Sequence, residues 1–244
     1  MNFIGIIPAR YQSSRFPGKP LAKIKDKPMI QWVYENALKA LPFVCVATDD
    51  DRIFNAVNAF GGEVVKTSAS HQSGTDRCAE AALKIAASID FDIVVNIQGD
   101  EPFIKPEQLE LIKQCFENET EIATLVKKIN SQEELFNPNR PKVVLDKNDF
   151  ALYFSRSPIP YLRGEESENW VKKHIFWSHI GLYAFKADVL QKITKLAPGK
   201  LELAESLEQL RWLENGYKIK TAETSYQTIG IDTPEDLEAA LQLF

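Results

Sequence analysis

Cysteine is scarce: Cys45, Cys78 and Cys115 are the three in 244 residues, and no two stand at CxxC spacing. A zinc ribbon and a dithiol redox motif are therefore excluded, and a chain of this length needs no disulfides to hold a core. Glycine is sparse as well, and no GxGxxG occurs, so the dinucleotide fingerprint is missing. Long apolar runs are absent. FDIVVNI is far short of a membrane span, and the opening FIGII is too short for the apolar region of a signal peptide. An excess of positive charge is lacking: 29 basic and 34 acidic residues leave −5, which argues against a general nucleic-acid binder but allows a local cationic cluster. These absences predict a reducing, cytoplasmic compartment with no nucleic-acid or membrane partner. Cys45, within FVCVA, reads as a small core residue.

Residues of the apolar set AVILMFWYC make up 44% and charged residues 26%, an ordinary globular composition. Strand-like and helix-like segments alternate. Phe3–Ile7, Phe43–Ala47, Glu63–Val65, Ile93–Ile97 and Ile122–Val126 read as strands. Helices are predicted from Pro28 to Leu41 with the proline in first position, to Phe60 behind Thr48-Asp49-Asp50, over Thr75–Ser88 and over Pro106–Glu117. This pattern predicts an α/β fold, with a mostly parallel central sheet and helices on both faces. Right-handed crossovers place the loops after the strands on one edge, where ligands bind. Those loops are 8–27, 48–50, 66–76 and 98–105.

Beyond residue 130 the pattern changes. Lys142–Asp146 and Leu152–Arg156 read as strands joined by a turn at 147–149, and Ile180–Phe185 as another strand. One helix is predicted over Leu203–Glu214, with Leu203, Leu207 and Leu210 as its buried stripe. Tyr217–Ala222 reads as a strand and Pro234–Leu243 as a helix capped by Thr233. The expected division is 1–130 plus 215–244, with 131–214 as an antiparallel insert.

Five constellations carry possible chemistry. The first strand empties into IPARYQSSRFPGKP, where Arg10, Arg15 and Lys19 alternate with Ser13, Ser14 and Gly18. Three cations and free backbone N–H groups suit a polyphosphate. It is no Walker A loop: Ser13 stands where that motif has its first glycine, and Pro20 follows Lys19. Taken alone it reads as a solvated basic loop; its place after a strand favours a ligand. Gln98-Gly99-Asp100-Glu101 follows the buried run IVVNI, where Asp100 suits a magnesium ligand or, equally, a turn cap. Asp232 follows Ile231 in the same manner and has the same alternative. The pair can share an ion only if the last segment returns to the sheet. His71-Gln72-Ser73-Gly74-Thr75-Asp76-Arg77 reads as a backbone approach to a nucleobase or as a loop with an N-cap. The fifth set is Arg156, His179, Tyr183, Glu205, Glu208 and Gln209. His179 and Tyr183 share one strand face, and Arg156 suits a bidentate carboxylate.

Together these segments resemble one family over essentially the whole chain, the 3-deoxy-manno-octulosonate (Kdo) cytidylyltransferases. The marks are IIPARYQSSRFPGKPL, VATDD, HQSGTDR, VNIQGDEP, KVVLD, ALYFSRSPIP, HIGLYAF, LEQLR and GIDTPEDLE, in that order. The resemblance implies a Rossmann-like nucleotidyltransferase, a homodimer that uses Mg²⁺ to join CTP and Kdo into CMP-Kdo and pyrophosphate for lipopolysaccharide biosynthesis. It implies that Lys19, Asp100 and Asp232 are catalytic, the two aspartates holding magnesium. Arg10 and Arg15 would join Lys19 on the CTP phosphates, with Ser73, Arg77 and Gln98 around the nucleotide. Arg156, His179, Tyr183, Glu208 and Gln209 would surround the sugar acid, in an insert that also serves dimerisation. Phe185, where the pattern often has tyrosine, and Pro158 are departures that leave room for a modified Kdo.

Overall fold

A computed structural model describes residues 1–12, 15–116, 120–226 and 230–242. Ser13, Ser14 and the predicted helix ends at Glu117 and Leu243 lie outside the described residues. The strands are β1 (Phe3–Ala9), β2 (Lys23–Ile24), β3 (Lys27–Pro28), β4 (Val44–Thr48), β5 (Glu63–Lys66), β6 (Ile93–Asn96), β7 (Ile122–Lys128), β8 (Lys142–Leu145), β9 (Ala151–Ser155), β10 (Trp177–Lys186) and β11 (Ile219–Glu223). The helices are α1 (Met29–Leu38), α2 (Asp51–Ala59), α3 (Gly74–Ile85), α4 (Pro106–Gln114), α5 (Gln132–Phe136), α6 (Trp170–Lys173), α7 (Ala187–Ile193), α8 (Lys200–Glu205), α9 (Gln209–Glu214) and α10 (Pro234–Leu241).

The chain forms two compact units. The first is Met1–Glu110, Ala184–Thr194 and Thr228–Phe244; the second is Leu111–Tyr183 and Lys195–Gln227. These limits differ from the expected 130/131 and 214/215. The reason is that β7 and β11, paired in parallel from Ile122↔Ile219 to Val126↔Glu223, are also tied to the insert: Phe150 bridges Lys220 and Ile129 N–H donates to the Phe176 carbonyl, so both strands fall in the second unit.

In the first unit β6, β1, β4 and β5 lie side by side, all parallel. Every residue of β4 and β6 is buried, as expected of parallel strands covered on both faces. Helices α1, α2 and α3 pack on these strands. Helix α2 starts at Asp50, whose carboxylate accepts from Arg52 N–H. Helix α3 starts at Ser73 in a capping box with Asp76, which satisfies its first free N–H groups. Pro28 does not open α1 from inside: it is the N-cap, in extended conformation, and ends the short antiparallel hairpin β2–β3. That hairpin occupies the end of the 8–27 loop and the first residue expected to be helical. Its Ile24 packs with Met29, Ile231 and Ala240, flanked by Phe16, Trp32, Phe103 and Leu237. This apolar cluster docks the α10 segment beside the first loop.

In the second unit β8 pairs antiparallel with β9 and with β10, the hairpin the sequence predicted. The single helix over Leu203–Glu214 is a correction. It is two helices, α8 and α9, separated by Ser206 in the left-handed region at φ 53°. Leu203 is 70% exposed, whereas Leu207 and Leu210 are buried. The leucine spacing continues across the break, but the backbone does not. Helices α5, α6 and α7 escaped the sequence reading because each is seven residues or fewer, too short for a clear 3.6-residue period. The three thiols are buried, and burial pushes that of Cys45 up to about 12. Among the described residues no helix is long and apolar enough to cross a membrane.

Candidate active site

At the carboxyl ends of β1 and β6 the first unit holds a cavity of about 370 Å³. Arg10, Arg15 and Lys19 line it from the first loop, Gly74 and Arg77 from α3, and Gln98, Gly99 and Asp100 from the loop after β6. The first loop is closed on itself by Gly18 N–H donating to the Tyr11 carbonyl at 2.8 Å. Gly18 lies at φ +74°, a conformation that favours glycine. Its turn leads into a single 3₁₀ turn at Lys19–Leu21, which fixes where Lys19 leaves the backbone. At Gly99 a Cβ would stand 3.1 Å from the Pro8 carbonyl oxygen, so the loop after β6 approaches the end of β1 more closely than a side chain comfortably allows.

The last segment does return. Ile231, buried in the apolar cluster, donates its main-chain N–H to the Asp100 carbonyl at 2.9 Å. The N-cap of α10 is Thr233, in a capping box with Asp236, so the Asp232 carboxylate is not used up as a cap. It faces the first loop instead. Lys19 Nζ lies 2.6 Å from Asp100 Oδ2 and 3.1 Å from Asp232 Oδ1. Arg15 Nη2 lies 2.9 Å from Asp232 Oδ2. One ammonium therefore marks the point on which two carboxylates, separated by more than half the chain, converge. Charge-assisted contacts of this kind are short and strong where water is partly excluded, and the Lys19 side chain is 13% exposed.

Among the described residues no group of three or more His, Cys, Asp or Glu is placed to hold a metal. A closed protein cage for zinc is thus absent there, while two carboxylates beside a cavity lined by Arg10, Arg15 and Lys19 fit the ligands magnesium takes. That ion is usually held by one or two carboxylates, substrate phosphates and water.

The remaining predicted residues fall as follows. Arg10 donates to the Gln72 carbonyl at 3.2 Å. Ser73 is the N-cap of α3, its hydroxyl accepting from Asp76 N–H at 3.1 Å. Arg77 is buried, with Nη1 on Thr67 Oγ1 at 2.6 Å and Nη2 beside Asp49 Oδ1 at 2.9 Å. Gln98 lines the cavity.

The fifth set belongs to the second unit. His179 is half-buried, its Nε2 3.0 Å from Thr124 Oγ1, with Phe154 and Tyr183 against its ring. Burial pushes its pKa down to about 3, so the imidazole is neutral at physiological pH and offers no cation to a carboxylate. Tyr183 is buried against Trp212, and burial followed by the nearby Glu208 charge raises its phenol well above the ordinary range. Arg156 is committed to main-chain carbonyls: Glu205 at 2.7 Å, Pro138 at 2.9 Å and Ser206 at 3.2 Å. Glu205 in turn accepts from Ser155 Oγ at 2.6 Å and Arg156 N–H at 2.9 Å. The break at Ser206 thus separates Glu205, bound to the end of β9, from Glu208 and Gln209 at the start of α9. Gln209 is buried, and its Nε2 has no hydrogen-bond partner among the described residues. Thr124, whose hydroxyl lies near His179 Nε2 and the Ile180 and Leu182 carbonyls, was missed by sequence reading. A threonine inside the apolar run IATLV was the available signal.

Comparison with known proteins fits this geometry. Residues 4–219 match the family model described as cytidylyltransferase. The chain is 63% identical over 246 residues to a 3-deoxy-manno-octulosonate cytidylyltransferase of Parabacteroides distasonis, covering 99% of this chain and 97% of the relative. A protein of the same description from Bacteroides thetaiotaomicron is 60% identical, with 98% and 97% covered. The fold is similar to that of a CMP:2-keto-3-deoxy-manno-octonic acid synthetase complexed with CTP, with a TM-score of 0.91, 45% identity and 100% and 98% of the two chains covered. The chain belongs to the 3-deoxy-manno-octulosonate cytidylyltransferase family.

Proposed function

We propose that this protein transfers CMP from CTP to the anomeric hydroxyl of Kdo, giving CMP-Kdo and pyrophosphate for lipopolysaccharide biosynthesis. Relatives up to 63% identical over nearly the full chain carry this activity in their description, and a solved structure of the same fold is complexed with CTP. The observation that carries the mechanistic reading is the meeting of Asp100 and Asp232 at Lys19, at the rim of a cavity lined by arginines.

Both substrates are anionic, so their charges must be offset before they meet. Arg10, Arg15 and Lys19 would hold the triphosphate in the cavity, as planar or point cations on phosphate oxygens. Asp100 and Asp232 would hold Mg²⁺ together with those phosphates. Bound there, the ion supplies a lowered pKa for the attacking hydroxyl and neutralisation at the transferring phosphoryl group. Lys19 would follow the charge that develops on the α-phosphate and the leaving pyrophosphate. The sugar hydroxyl loses its proton to water as its oxygen bonds to the α-phosphorus, and the bond to the pyrophosphate oxygen breaks so that pyrophosphate leaves. Holding the two in line supplies much of the rate, with no covalent enzyme intermediate. The sugar acid is assigned to the second-unit set of His179, Tyr183, Glu208 and Gln209. In that set the neutral His179 and the unpartnered Gln209 amide suit hydroxyl groups better than a carboxylate. Three buried free thiols suit a reducing cytoplasm, and the active form is read as a homodimer.

The test is pyrophosphate release on mixing the protein with CTP, Kdo and Mg²⁺, with EDTA and a panel of sugar acids as further arms. Release that needs Kdo and stops with EDTA is expected. No release, or release undiminished by EDTA, contradicts the reading; faster turnover of an amino-substituted Kdo would reassign the sugar.

A further inference from the structure

Three side chains of α3 fasten the segment that leads into it. Arg77, Glu80 and Lys84 stand at i, i+3 and i+7, on one face of the helix. Arg77 grips Thr67 at one end, and Lys84 Nζ donates to the Lys66 carbonyl at 2.6 Å. Between them, Glu80 Oε2 accepts from Ser68 N–H at 2.9 Å and pairs with His71 Nε2. Lys84 closes on Glu80 Oε1 at 2.7 Å. Lys84 above all, with Ser68 and His71, holds the Glu80 carboxyl down to about 2, so it stays ionised.

The next residue after His71 is Gln72, whose carbonyl receives Arg10, and Gly74 then lines the cavity. Without Glu80, the described side-chain bonds within residues 68–72 are local: Ser68 to Ser70, and Gln72 Nε2 to the Ser70 carbonyl at 2.9 Å. A lone i,i+4 Glu–Lys pair on a helix surface contributes only a few tenths of a kcal/mol. A carboxylate that also takes a loop amide and an imidazole restrains the loop itself.

We infer that Glu80, which does not line the cavity, is a positioning residue for nucleotide binding. Through Ser68 and His71 it holds residues 68–73 in place, and with them the Gln72 carbonyl that orients Arg10 toward the triphosphate. Pre-ordering removes an ordering cost that binding would otherwise carry, so its loss weakens CTP binding rather than the chemical step. The inference rests on the reading of the cavity as the CTP site.

The test compares Glu80→Ala and Glu80→Gln with the natural protein. CTP affinity is measured calorimetrically without sugar, initial rates are measured with each substrate varied, and amide hydrogen exchange is followed over residues 68–72. For Glu80→Ala the expected result is a rise of about tenfold in the Kd and KM for CTP. The kcat stays within about twofold, the KM for Kdo is unchanged, and exchange is faster in that segment. Glu80→Gln, which keeps an acceptor for Ser68, recovers part of the affinity and serves as the test if the alanine variant does not fold. Unchanged CTP affinity in the folded variants overturns the inference while leaving the CTP site intact. A loss in kcat, or in both KM values alike, overturns it as well. Failure of the natural protein itself to bind CTP removes the site reading and the inference with it.

Discussion

The main-chain N–H of Ile231 donates to the Asp100 carbonyl at 2.9 Å. The residue next to one site carboxylate is thereby bonded to the residue that carries the other. Because Ile231 is also buried among Ile24, Met29 and Ala240, the position of Asp232 is fixed by apolar packing, that backbone bond and its own N–H, which donates to Asp236 Oδ2 at 3.0 Å. It does not depend on its own ion pairs.

Asp100→Asn and Asp232→Asn should therefore fold normally and lose turnover, by roughly 10²–10³-fold or more, as for removal of a preorganised electrostatic contact. Steady-state pyrophosphate release and circular dichroism check this together. Activity near the natural level in either variant would remove that aspartate from the mechanism.

Lys19→Ala should cost roughly 2.7–4 kcal/mol of transition-state stabilisation. The larger part is expected in kcat, because charge grows on the α-phosphate and leaving group during the reaction. The variant also leaves Asp100 and Asp232 without their shared ammonium. An unchanged kcat at saturating substrates would show that Lys19 only neutralises the carboxylates.

His179 gives a pH dependence of stability. Its pKa is about 3 in the folded protein against an ordinary 6.5. Between these values the unfolded chain binds a proton that the folded chain does not, so stability falls as pH falls from 6.5 toward 3. In urea unfolding between pH 7 and pH 4, His179→Gln should show a shallower loss than the natural protein. Equal slopes would mean that His179 is not the group responsible.

Ser206 terminates α8 in the left-handed region, which costs a residue with a Cβ roughly 1–2 kcal/mol, while glycine enters it freely but loses more chain entropy, roughly 0.5–1 kcal/mol. Ser206→Gly should raise stability by up to about 1.5 kcal/mol, read as a rise in Tm. The carbonyl that receives Arg156 is retained. A lowered Tm would show that the serine hydroxyl has a role the backbone geometry does not reveal.

Much of the fold was legible because the strands of the first unit are short, apolar and separated by helices with clear caps. Asp50, Ser73 and Thr233 each cap the helix that follows. The first loop and Asp100 were legible as a possible site because parallel topology assigns both to one sheet edge. The convergence of Asp232 was legible only through the family resemblance, since from spacing alone it depends on contacts between residues more than a hundred positions apart. The break at Ser206 was hidden by leucine spacing that runs through it. Arg156 has the side chain of a carboxylate clamp, yet main-chain carbonyls brought near by that break occupy it. Glu80 in a helix reads as part of a solvated face, and only the path of residues 66–73 gives it partners.

The most direct measurement is a crystal structure of the protein grown with CTP and Mn²⁺ in place of Mg²⁺, with anomalous scattering recorded at the manganese edge. The expected result is a manganese peak bound by both Asp100 and Asp232 and by phosphate oxygens, with Lys19 moved from the carboxylates to the nucleotide. Manganese bound without either aspartate, while the carboxylates still hold Lys19 in a complex that goes on to release pyrophosphate, would contradict it.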